Sequence, residues 1–227
     1  MELAMKKPVQ IIAGICITFL ILIVSSICEM QTAAVSAPVP SGLTSQIVFL
    51  LASGVLILIF NKKGMVHFRI RKLKVNQLIF PVLLTFLLML VREAVSLKLM
   101  IETHPAASMP ALQLILIVVI LASVSEELLF RGFLQNMLEP LKKIRIKLYK
   151  AALSLPVIIS GLFFGIIHMG ILSTGASIQY AVQLVVFAMI LGMIAGYYQE
   201  KHENFLYAVL VHMTANVCGL ISLMMLH

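Results

Sequence analysis

Residues 111–132, ALQLILIVVILASVSEELLFRG, decide how this chain is read. The stretch is apolar for most of its length, and then Glu126 and Glu127 stand side by side with Arg131 four residues beyond the second. An ionised side chain at the centre of a bilayer helix costs about 2.5–3.5 kcal/mol on insertion scales, so such a group marks a functional site by default. The apolar run predicts a membrane-spanning helix, and the glutamates predict that it carries chemistry.

The rest of the chain is of the same kind. Of 227 residues, 61% are hydrophobic and 11% charged, and the mean hydropathy is +1.08. A soluble globule cannot cover that much apolar surface, so the fold class is an all-α, polytopic membrane helix bundle. Apolar segments lie at 9–28, 43–60, 76–100, 110–138, 151–169, 178–198 and 205–226, which predicts seven transmembrane helices. Turn residues separate them: Ala37-Pro38-Val39-Pro40-Ser41-Gly42, His104-Pro105, Met109-Pro110 and Ser173-Thr174-Gly175. We divide this single continuous membrane domain into N-terminal helices 1–3 (residues 1–109) and a catalytic core (residues 110–227). Lys6-Lys7 followed by an apolar run and the small residues Val35-Ser36-Ala37 imitates a signal peptide. The run exceeds the ~7–15 residues of an h-region, so a retained first span is the better reading.

The net charge of +8 does not indicate nucleic acid, because the basic residues cluster beside the spans. Lys6 and Lys7, the run from Lys62 to Lys74, the run from Lys142 to Lys150, and Lys201 all fall on alternate loops; Arg92 and Lys98 are alone on the other side. By the positive-inside rule this predicts a multi-pass protein of the cell membrane, with a cytoplasmic N-terminus and an extracytoplasmic C-terminus. Leu141 to Lys150 reads as a basic amphipathic segment on the cytoplasmic surface. The loop from Lys62 to Lys74 reads as a topology determinant in contact with anionic lipid. Cys16, Cys28 and Cys218 lie in or at the ends of apolar runs and read as small hydrophobes. His67, His104, His202 and His227 read as solvated.

There is no aspartate, so carboxylate chemistry falls to glutamate, and Glu126-Glu127 is the only acidic pair. On a helix the two point about 100° apart. Glu127 and Arg131 share a face in the favourable order for an ion pair, which makes Glu127 a supporting residue. Glu126 is left to face a water-containing cavity as a general base. A cytoplasmic-end charge cluster would be the structural alternative. Against it stand His168, which ends Phe163-Phe164-Gly165-Ile166-Ile167-His168, and His212, which shares a helix face with Asn216. The His212–Asn216 pair can donate to a developing oxyanion.

Glu-Glu-x-x-x-Arg (Glu126, Glu127, Arg131), Phe-x-x-x-His (Phe164, His168) and His-x-x-x-Asn (His212, Asn216), in that order on successive helices, resemble the CAAX protease and bacteriocin-processing family of intramembrane endopeptidases, also called the Abi family. The resemblance covers about residues 110 to 220. It implies a site between helices 4, 5 and 7 in which Glu126 and His168 activate a water and His212 and Asn216 stabilise the oxyanion. Glu127, Arg131 and Phe164 would support them. It implies as substrate a membrane-associated or lipidated peptide or protein. The alternative within the family is a membrane regulator or bacteriocin self-immunity protein that acts by partner binding, with proteolysis dispensable. A small transporter using the same groups as a proton relay is disfavoured by the lack of a symmetric repeat. No cofactor is expected; if zinc were bound, Glu126, His168 and His212 would be its ligands. The site is expected to open into a cavity reached from the cytoplasmic half.

Overall fold

The computed structural model describes residues 7–35, 39–101 and 109–225. Among them are seven helices long and apolar enough to cross a membrane: α1 (Lys7–Ala34), α2 (Leu43–Lys62), α3 (Val75–Leu99), α4 (Ala111–Met137), α5 (Leu155–Thr174), α6 (Ile178–His202) and α7 (Leu206–Met225). The protein is thus a polytopic all-α membrane bundle. Lys6, the Ser36–Pro38 part of the first turn, His104-Pro105 and His227 lie outside the described residues.

The apolar runs make helices because backbone N–H and C=O groups in lipid must be satisfied within the segment. Many of the large side chains on the outside of the bundle are apolar and exposed, among them Phe19, Leu58, Phe80 and Leu112, as lipid contact requires. The core instead gathers on α4: Leu129, Phe130, Phe133, Leu134 and Met137 are completely buried. α4 is therefore the central helix, and half of its most apolar window is inside the protein. Its winding is unusual. Leu114–Ala122 and Leu128–Leu134 are π-helical, and the intervening Ser123–Glu127 keeps α-helical bonding, as do the two ends of the helix. Wide i→i+5 turns inside α-helices are rare and concentrate at functional sites. Here they bracket the two glutamates.

Close approach of α5 and α6 depends on glycine. A Cβ on Gly165 would come within 2.7 Å of the Val185 carbonyl oxygen, and one on Gly192 within 3.0 Å of the Gly161 Cα. Gly161 on α5 meets Gly192 on α6, and the four-residue spacings Gly161–Gly165 and Gly192–Gly196 are the small-xxx-small pattern that lets membrane helices touch backbone to backbone. At the start of α2, Glu29 from α1 accepts from the Gly42 N–H (2.6 Å) and the Ser45 N–H (2.9 Å). A carboxylate placed there satisfies orphan amide donors and the positive end of the helix dipole.

Two stretches differ from the sequence expectation. The basic segment after α4 is a β-hairpin, β1 (Arg145–Leu148) and β2 (Ala151–Ser154), in register Arg145↔Ser154. Its strand ladder pairs the backbone without an amphipathic helix, and Glu200 on α6 anchors it by accepting from Arg145 (2.5 Å) and the Ser154 hydroxyl (2.6 Å). Helix 5 accordingly begins at Leu155, not 151, with Ser154 as its N-cap and Pro156 in the first turn.

The basic loops meet at one end of the bundle. The Phe205 N–H donates to the Arg69 carbonyl (2.9 Å), the Asn204 side chain pairs with both backbone groups of Arg71, and the His67 N–H donates to Asn136 (3.2 Å). His202 is half-buried and stacks on Tyr207 with centroids 4.3 Å apart, so it packs at this end instead of standing in solvent.

Candidate active site

The α-helical turn of α4 presents Glu126 and Glu127 to different neighbours, as their 100° offset requires. Glu127 points into protein. Its Oε1 accepts from Arg131 Nη1 and from His212 Nδ1, both at 3.0 Å, with Glu127 1% and Arg131 0% exposed. The arginine is further held over the Phe164 ring, 4.5 Å from its centroid, a cation–π contact. The intrahelical pairing follows from the four-residue spacing; the His212 contact joins α4 to α7 and has no signal in the sequence.

Glu126 points into a cavity of about 850 Å³. Its Oε1 accepts from Gln46 Nε2 at 2.7 Å, and the Ser125 hydroxyl donates to Gln46 Oε1. Neither Gln46 nor Ser125 is recognisable from the sequence, because the partners are about 80 positions apart.

His168 stands where α5 tightens into a 3₁₀ turn, Ile167–Thr174. Its Nδ1 lies 2.7 Å from the Phe164 carbonyl oxygen. A carbonyl only accepts, so Nδ1 carries the proton and, in the neutral ring, Nε2 keeps a free lone pair. Phe164 is the hub of these groups, with ring centroids 5.0 Å from His168 and 5.3 Å from His212. Glu126, Phe164, His168, His212 and Asn216 all line the one cavity.

Asn216 is engaged on α4: its Nδ2 donates to the Val118 carbonyl (2.8 Å) and to the Ser123 hydroxyl (3.0 Å). This bond to a carbonyl of the π-helical stretch locks α7 against α4 one turn from His212. Donation by Asn216 to a reacting oxygen therefore requires exchange of one of these bonds.

Among the described residues no three His, Cys, Asp or Glu side chains are grouped to hold a metal ion.

The cavity lies toward one end of the bundle. Its walls include Ser41 and Gly42 of the α1–α2 turn, Met100 and Ile101 after α3, Met109 before α4 and Thr174 at the end of α5. These connections are at the end opposite the basic loops. Bulky residues of α4 beyond Glu126 fill the basic end instead.

Seven membrane-length helices, six of which line a cavity that holds carboxylate and imidazole groups, define a polytopic membrane protein with a hydrolytic type of site. Residues 108–218 match the family model described as type II CAAX prenyl endopeptidase Rce1-like, and this stretch of the chain belongs to that family. The match and the seven apolar helices support an intramembrane endopeptidase in general, a CAAX-type hydrolase at the lipid bilayer. No curated protein and no solved structure matches the chain.

Proposed function

We propose that the protein hydrolyses a peptide bond of a membrane-associated or lipidated peptide by a glutamate-dependent, metal-independent mechanism. The observation that carries this reading is the pairing, in one cavity, of a carboxylate whose Oε1 is held by Gln46 with an imidazole whose Nε2 is a free acceptor. Glu126 and His168 together take a proton from a water, and the oxygen adds to the scissile carbonyl. The tetrahedral oxyanion is met by His212, whose Nε2 faces away from Glu127 and donates when the ring is protonated, and by Asn216 after it exchanges a bond to α4. The carbon–nitrogen bond then breaks as the captured proton passes to the leaving amine. Glu127 orients His212 in the manner of a carboxylate–histidine pair, and Arg131 holds Glu127 in place.

The test is cleavage of a quenched fluorescent peptide carrying a farnesylated cysteine, by the purified protein in lipid nanodiscs. Glu126→Gln and His168→Ala are expected to lose nearly all activity while remaining folded, and His212→Ala to lose most of it. Undiminished cleavage in all three would overturn the proposal and favour action by partner binding. Stoichiometric zinc whose removal abolishes cleavage would overturn the metal-independent part.

A further inference from the structure

The cavity is one-sided along the bundle axis. Among the described residues, α3 contributes to its lining only from Met89 onward, α5 only from Phe164 and α7 only from His212. The antiparallel helices mirror this: α4 contributes nothing after Glu126 and α6 nothing after Leu191. Every one of these five helices thus gives the half that lies farther from the basic loops. Toward the basic end the way is closed by Phe130, Arg131, Phe133 and Leu134, each 0% exposed.

The charge asymmetry is equally one-sided. The end of α2 and the α2–α3 loop hold Lys62 to Lys74, the connection from α4 through the β-hairpin holds Lys142 to Lys150, and the last turn of α6 holds Lys201. They are bound to one another at one end through Arg69, Arg71 and Arg145. Loops rich in lysine and arginine stay cytoplasmic, since moving them across an energised membrane is opposed. At the far end the bundle offers only Arg92 and Lys98 in α3.

From these two asymmetries we propose that the catalytic cavity opens to the extracytoplasmic side of the membrane, and that the substrate is a polypeptide segment presented there: an exported peptide or the outward-facing tail of a membrane protein. This rests on the reading of the cavity as the active site. A cytosolic tail would have to pass the closed, aromatic-filled half of α4 to reach Glu126. A segment outside reaches it along a cavity whose far wall carries the polar groups Ser96, Ser222 and the Arg92–Glu93 pair.

The experiment is cysteine accessibility in intact bacterial cells expressing the full chain with Cys16, Cys28 and Cys218 replaced by alanine. Three single variants are compared: Lys147→Cys on the exposed strand β1, Thr174→Cys at the cavity mouth, and Gly219→Cys on the cavity wall, where an added Cβ meets nothing within 4 Å. A small membrane-impermeant thiol reagent is expected to label Thr174→Cys and Gly219→Cys in intact cells, and Lys147→Cys only after permeabilisation. Labelling of Lys147→Cys alone in intact cells, or protection of Gly219→Cys until the inner face is exposed, would overturn the inference. These readouts need no catalysis, so they stand apart from the Glu126→Gln result. Loss of the peptidase reading would leave the measured direction of the cavity intact, and a reversed direction would leave the peptidase reading intact.

Discussion

Gln46 Nε2 donates a 2.7 Å hydrogen bond to Glu126 Oε1 from a helix that lies wholly outside the matched stretch 108–218. The amide cannot flip without losing both its bonds, because Ser125 donates to its oxygen. One carboxylate oxygen is thereby fixed and the other is left for a water. Removing this bond with Gln46→Leu is expected to lower kcat by about 10- to 100-fold, the equivalent of the ~1.5–3 kcal/mol of a hydrogen bond to a charged group. KM should stay within about twofold, since Gln46 acts through Glu126 and not on substrate. Steady-state kinetics on the farnesylated peptide check this; an equal fall in kcat and rise in KM would instead indicate general loosening of the site.

The same helix start depends on Glu29. Glu29→Ala strips the Gly42 and Ser45 amides of their acceptor, at a cost of about 0.5–2 kcal/mol by comparison with other N-terminal caps. Because Gln46 is in the next half-turn, activity should fall together with thermal stability. Measuring both on one preparation shows whether α1 supports the site through α2.

Arg131→Ala leaves Glu127 as a buried charge with only His212 to meet it, and breaking such a pair costs about 3–5 kcal/mol. The expected outcome is loss of folded protein, read as the monodisperse fraction after extraction into detergent. Arg131→Lys is expected to recover little, because the planar guanidinium stacked over Phe164 has no ammonium equivalent.

Gly192→Ala places a methyl group 2.6 Å from Arg131 Nη2 and 3.0 Å from the Gly161 Cα. Overpacking of this kind costs about 1–3 kcal/mol, and here it would also push the arginine off Glu127. The melting temperature should fall and activity with it. Gly54→Ala, where nothing lies within 4 Å, serves as the control and should leave both unchanged or slightly raised.

Local features were legible in the sequence because they depend on neighbours a few positions apart. The seven apolar segments follow from bilayer thickness, and all seven emerge as helices. The separation of Glu126 from Glu127, and the contact of Glu127 with Arg131, follow from 100° per residue and the four-residue spacing. The hairpin at 145–154 was not legible, since a short basic run without alternation of burial has the same composition as a surface helix. Nor were the π-helical turns of α4, which share their residues with ordinary helix.

What only the tertiary structure decided are the pairings across long stretches of chain. Gln46 meets Glu126, His212 meets Glu127, and Asn216 spends its amide on Val118 and Ser123, each across some 80 to 98 positions. Such partners are chosen by how seven helices tilt and pack, which depends on contacts like Gly165 against Val185 that no single segment specifies. The side on which the cavity lies is of the same kind. The chain by itself determined which loops are basic; only the packing of bulky residues below Glu126 and the spreading of the helices above it decided that the cavity faces away from them.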